Sequence, residues 1–157
     1  MKDRIVQILM AFGGSLGFGL IFHIRAKLLL PAAIGGLMAW CVNLIFVSRL
    51  GNVALASFFA AAFAAFYAEI LARLMKAPST LFFVPAVVPL IPGASLYYTV
   101  SSIVAQNWPQ FRQYGAETTE YALSIAAGMC LAWAFTAMTR KIRTLAGRIA
   151  EKSRPNR

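Results

Sequence analysis

Acidic side chains are almost missing from this sequence. Asp3, Glu69, Glu117, Glu120 and Glu151 are all of them in 157 residues, against fifteen lysines and arginines. Histidine occurs once, as His23, and cysteine twice, as Cys41 and Cys130. These shortages exclude whole classes of chemistry. No two carboxylates stand together in an apolar stretch to share acid and base work. No His/Cys/Asp/Glu group has metal-ligand spacing, so neither metal nor cofactor is expected. Ser95 has only Tyr97, Tyr98 and Thr99 near it in sequence, which leaves a nucleophile without a base and an enzyme without a catalytic group.

What the sequence has instead is apolar surface: 60% hydrophobic residues and a mean hydropathy of +0.69. That leaves too little polar side chain to cover a soluble domain, and the fold class is an all-α integral membrane protein. A net charge of +10 could point to nucleic acid, but the cations border apolar runs or crowd the C-terminus, where they report orientation and contact with anionic lipid. Five spans are expected, at about 5–24, 28–47, 52–71, 81–104 and 121–138, making a transmembrane domain over 1–138. A basic amphipathic tail follows over 139–157, with Ile142, Leu145 and Ile149 at helical spacing. A four-crossing version leaves out the Gly-rich second segment. With five crossings and a cytoplasmic C-terminus, eleven cations fall inside and four outside, as the positive-inside rule requires.

Within the spans, polar residues are few enough to name. The first is too long for a secretory signal and lacks its cleavage site; Gly13, Gly17 and Gly19 with Ser15 suit close approach of another helix. His23 ends it among cations, as an interfacial residue or a proton relay. In the second, Pro31 sits in the first turn, Gly35-Gly36 thins the helix, and Asn43 either bonds a neighbouring helix or lines a pathway. The third is Ala-rich, and its Glu69 is the only carboxylate in any span. Glu69 is either a coupling group or half of an ion pair with Arg73, four residues on. Trp108, Phe111 and Tyr114, spaced by three, predict a short interfacial helix with its rings toward lipid.

The fourth span, LFFVPAVVPLIPGASLYYTVSSIV from Leu81 to Val104, carries Pro85, Pro89 and Pro92, with Gly93 next. Each proline lacks a backbone donor and crowds the carbonyl one turn back, so the three cannot share one straight helix. It is either a kinked packing helix or a discontinuous one, and a discontinuous helix near the midplane marks a transporter's site. The helix is expected to lapse around Pro89 to Gly93 and restart at Ala94 or Ser95, with Ser95 as N-cap. The Gly93 and Ser95 amides would then hold a carboxylate, with Tyr97 or Tyr98 closing the pocket.

The run RLMKAPSTLFFVPAVVPLIPGASLYYTV, above all Pro89-Leu-Ile-Pro92-Gly93-x-Ser95-Leu-Tyr97, resembles the threonine/serine exporter family in its small-subunit form. FHIRAKLLLPAAIGGLMAW agrees with the same pattern, and the similarity covers nearly the whole chain. The resemblance implies one half of a two-unit exporter in the bacterial inner membrane, partnered by a larger related membrane subunit. It implies a small-molecule substrate: threonine and serine, or, for the two-subunit form, succinate. A scaffold whose partner holds the whole site is the alternative it leaves open.

Overall fold

The computed structural model describes residues 2–152, and in it every regular element is helical. The order is α1 (Lys2–Ile21), α2 (Ala26–Leu50), α3 (Val53–Met75), α4 (Thr80–Val87), one 3-10 turn (Val88–Leu90), α5 (Gly93–Val104) and α6 (Trp108–Lys152). Local chemistry sets several ends. Gly51, in the left-handed region at φ 64°, closes α2. The next residue, Asn52, caps α3 by accepting the Leu55 amide at 3.1 Å. Lys76 closes α3 in the same left-handed conformation, φ 50°.

Helix α3 is the hub, packed on α2, α4 and α6. Its alanines explain why. Ala56, Ala60, Ala61, Ala64, Ala65 and Ala68 are buried, and so small a surface lets neighbouring backbones come close where lipid supplies no hydrophobic drive. On α6, Gly128 lies directly under the Phe58 carbonyl. On α2, Gly36 faces Ser15 of α1 and the Pro85 carbonyl of α4, while Gly35 faces the Tyr67 ring, whose hydroxyl donates to the Pro31 carbonyl at 2.8 Å. The small-residue pattern of α1 is only partly used: Ser15 is buried, but Gly13 and Gly17 have nothing within 4 Å of a Cβ built there.

Four helices are long and apolar enough to span a bilayer: α1, α2, α3 and α6 through Thr139. A bent pair, Thr80–Leu90 and Gly93–Val104, at 61°, makes a fifth candidate if its two helices count as one span. Contacts between α3 and α6 show that this pair carries the chain back along α3. Gly128 meets Phe58 and Phe135 meets Phe66, so the two helices run parallel, and the segment joining them must return the full length.

Two expectations change. The second segment is a 25-residue helix long and apolar enough to span a bilayer, and Pro31 sits inside that helix rather than in its first turn, because the helix begins at Ala26. The aromatic segment 108–114 is not a separate interfacial helix. It is the start of α6, which continues without a break through residue 138 to Lys152. Its rings turn partly to protein: Tyr114 stacks on Tyr98 of α5 with centroids 5.1 Å apart. Leu145 and Ile149 lie outside the described side chains; Ile142 is exposed.

Candidate functional site at the broken helix

The break follows from missing donors. Pro89 has no N–H for the Pro85 carbonyl one turn back, and Pro92 has none for the Val88 carbonyl. The chain tightens instead, with Ile91 donating to Val88 at 3.2 Å in the 3-10 turn. Ile91 then turns extended, φ −63° and ψ 126°, and α5 begins at Gly93 with Pro92 as N-cap and no side-chain cap. Leu90, on the near side of the break, belongs to the same buried cluster as Ala60, Ala61 and Ala64, and the residues after it share a cavity with Val53 and Ser57 in the first turns of α3.

Two details differ from expectation. Ser95 is not the N-cap: it is the third residue of α5, because a proline can hold the cap position where no amide is needed. The Gly93 amide is not open either, since it donates to the Ile91 carbonyl at 2.8 Å. Among the described residues, the Ala94 and Ser95 amides have no acceptor, and the α5 dipole adds partial positive charge there.

These amides border a cavity of about 250 Å³. Trp40 and Asn43 of α2, Val53 and Ser57 of α3, the break from Leu90 to Ser95, and Tyr121 of α6 line it. Three buried side-chain polar atoms lack any hydrogen-bond partner among the described residues: Ser15 Oγ, Trp40 Nε1 and Asn43 Oδ1. Trp40 and Asn43 are also lining residues of this cavity, although these two atoms are themselves occluded from it. A buried polar atom left unsatisfied is costly, on the order of 1–3 kcal/mol, and most are paired in folded proteins. A larger hollow of about 700 Å³ lies along α6, bordered by Thr99 of α5. It is an open groove, and its Thr99 and Thr118 hydroxyls already pair with each other at 3.2 Å.

The structure thus brings together Pro92, Gly93, Ser95 and Asn43, with Pro89 one residue before the lining, in the turn. Tyr97 and Tyr98 do not join them. They are exposed, pack edge to face on each other, and Tyr98 stacks on Tyr114. Tyr121 borders the cavity instead, its hydroxyl donating to Glu117 at 2.9 Å. Trp40, Ser57 and Tyr121 escape sequence reasoning because nothing local ties α2, the start of α3 or α6 to the break.

Glu69 is far from this site. It is buried near the end of α3, about 18 Å along the axis from Ser57, and accepts from Arg73 Nε and Nη2 at 3.2 and 3.1 Å. The ion-pair alternative is therefore realised in the geometry. We expect the double swap Glu69→Arg with Arg73→Glu to keep most transport activity, and Glu69→Gln to lower it mildly, since the Arg73 end of the pair is 43% exposed and stays solvated without its partner. Efflux normalised to membrane abundance checks this; abolished efflux with normal abundance would assign Glu69 a coupling role.

A family model described as "Threonine/Serine exporter, ThrE" matches residues 7–135, which includes α2, α3, the broken segment and most of the apolar part of α6. No curated protein and no solved structure matches the chain.

Proposed function

The chain belongs to the threonine/serine exporter family, and from that membership we propose that it is the small subunit of a secondary exporter. Membership itself makes it a multi-pass membrane transporter protein rather than an enzyme. On our reading, it moves small carboxylate-bearing metabolites, threonine and serine or a dicarboxylate such as succinate, out of the bacterial cytoplasm together with a larger related membrane subunit. The observation that carries this is the cavity at the broken helix. Open amides at the start of α5 border it, an arrangement suited to an anionic group. The need for a partner is supported by surface left uncovered: α5 packs chiefly on α6, and Leu96, Tyr97, Val100 and Val104 are exposed. The inner-membrane location, with the C-terminus cytoplasmic and the basic tail against anionic lipid, rests on the charge asymmetry.

A single-cysteine panel in a background lacking Cys41 and Cys130 tests both parts. Threonine or succinate should slow labelling of Ala94→Cys several-fold in the assembled exporter, and leave a cysteine at the exposed Leu74 unaffected. An unprotected Ala94→Cys makes the chain a scaffold for a partner that holds the site. Impermeant reagent should reach Asn52→Cys from the periplasm and Lys141→Cys only after permeabilisation; labelling of both from one side refutes the orientation.

A further inference from the structure

We propose that the α1–α2 and α3–α4 turns together hold one anionic phospholipid, with its phosphate among His23, Arg25 and Lys76 and an acyl chain in the apolar groove beside them. A hollow of about 340 Å³ lies where the two turns meet, and these three side chains line it together with Ile24 and Leu81. No carboxylate is among its lining residues. On α3 the carboxylate nearest in sequence is Glu69, about two turns back, and it accepts from Arg73. Arg25 and Lys76 carry like charge, so a phosphate between them replaces repulsion with charge-assisted hydrogen bonds. His23 has a ring N–H to add, and all three residues are exposed.

The backbone sets two of these residues in the same way. His23 and Lys76 have φ 52° and 50°, the left-handed region where glycine costs least. Each turn is closed by the next amide reaching five residues back, Ile24 to Gly19 at 3.0 Å and Ala77 to Ala72 at 3.1 Å. A basic residue just past a helix end suits that helix's dipole, but the dipole does not account for two such residues and Arg25 sharing one hollow.

The second half of the site is apolar. A hollow of about 180 Å³ adjoins the first, since Ile24 and Leu81 line both. Phe22, Val84 and Pro85 form its other apolar walls. Phe22 precedes the α1–α2 turn, and Val84 and Pro85 lie a turn further into α4 than Leu81, which puts this hollow on the bilayer side of the cationic one. Cations at the helix ends with an apolar groove directly beneath them match a phosphate joined to an acyl chain. A free phosphate or an acidic peptide would use only the cationic part. In the orientation proposed above, both turns face the cytoplasm, where the leaflet surface is negative; the site itself depends on neither the orientation nor the transport reading.

The test uses the full chain, isolated in mild detergent and stripped of lipid. It is titrated with dioleoylphosphatidylglycerol, with zwitterionic dioleoylphosphatidylcholine and with inorganic phosphate. Native mass spectrometry counts bound lipid, and the thermal aggregation midpoint is followed in parallel. One phosphatidylglycerol per chain should be retained in preference to phosphatidylcholine and should raise the midpoint, because a ligand of the folded form stabilises it. Inorganic phosphate should neither raise the midpoint nor displace the lipid. Arg25→Gln with Lys76→Gln should weaken phosphatidylglycerol binding on the order of tenfold or more. Lys141→Gln with Arg143→Gln removes equal charge from the tail and should leave that binding unchanged. Val84→Trp fills the groove with the cations intact and should weaken binding several-fold, which keeps the question open to test if the double variant fails to accumulate. Equal retention of the two lipids, displacement by inorganic phosphate, or equal weakening by the tail variant would each overturn the proposal. So would unchanged binding in the turn variant or in Val84→Trp.

Discussion

Gly128→Leu should nearly eliminate folded protein from the membrane. Gly128 lies where α6 crosses α3, and a Cβ built on it would overlap the Phe58 carbonyl oxygen, with the Phe58 carbon 3.1 Å and the Ala62 nitrogen 3.2 Å away. All three are backbone atoms of a helix already held by α2 and α4, so no rotamer change can relieve the overlap. Overpacking in an adaptable core costs about 1–3 kcal/mol; against rigid backbone the upper end or more is expected. Separating α3 from α6 would also expose the Ala-lined seam that joins Ala65, Ala68 and Ala132. Membrane abundance and the thermal aggregation midpoint in detergent are the readouts. Gly13→Leu is the control, because nothing lies within 4 Å of that position. Equal abundance of Gly128→Leu and wild type would show that the α3–α6 contact is not as described.

Gly93→Val should have the opposite profile: normal abundance and at least tenfold lower export. Gly93 is not among the residues with positive φ, so a side chain meets no backbone strain there. A Cβ at this position touches nothing within 4 Å, and its amide stays bonded to Ile91. The protein itself has little reason to need glycine at 93. The side chain would instead fill space at the mouth of the α5 amides, where the proposed function has a substrate carboxylate approach. A loss of tenfold in export corresponds to about 1.4 kcal/mol of lost stabilisation along the transport path. Efflux of preloaded substrate, scaled to membrane abundance, measures it; unchanged export would mean that no substrate passes this point. Gly36→Val offers a contrast, since a side chain there runs into Ser15 and the Pro85 carbonyl, and its loss of export should follow loss of protein.

How far the site was legible depended on where its chemistry resides. The break at Pro89 to Gly93 is written in the covalent structure, because a proline lacks its donor wherever the chain places it, and no tertiary contact can restore it. The spans were equally legible: long apolar runs have one stable form in a bilayer, the backbone-satisfied helix. Helical spacing placed Arg73 on the face of Glu69, which made the ion pair one of the two readings open for that carboxylate. The register of the new helix was less accessible. Whether Gly93 or Ala94 presents the open amide turns on one hydrogen bond to Ile91, and ends of helices are decided within a residue or two by such bonds.

By itself, then, the sequence determined that this is a helical membrane protein with a fourth span broken by proline, since those features are set by composition and by single residues. The tertiary structure alone decided what faces the break. Asn43 and Trp40 come to it from α2, more than forty residues upstream, and Tyr121 from α6, whereas Tyr97 and Tyr98, closest in sequence, point away. It also merged the aromatic segment at 108–114 into α6, because Tyr98 and Thr99 of α5 give that segment a helical partner to pack on. Local pattern fixes which face of a helix is apolar, but several helices here are apolar all round. Which side meets protein and which meets lipid is then settled by where small residues let backbones approach, as at Gly35, Gly36 and Gly128.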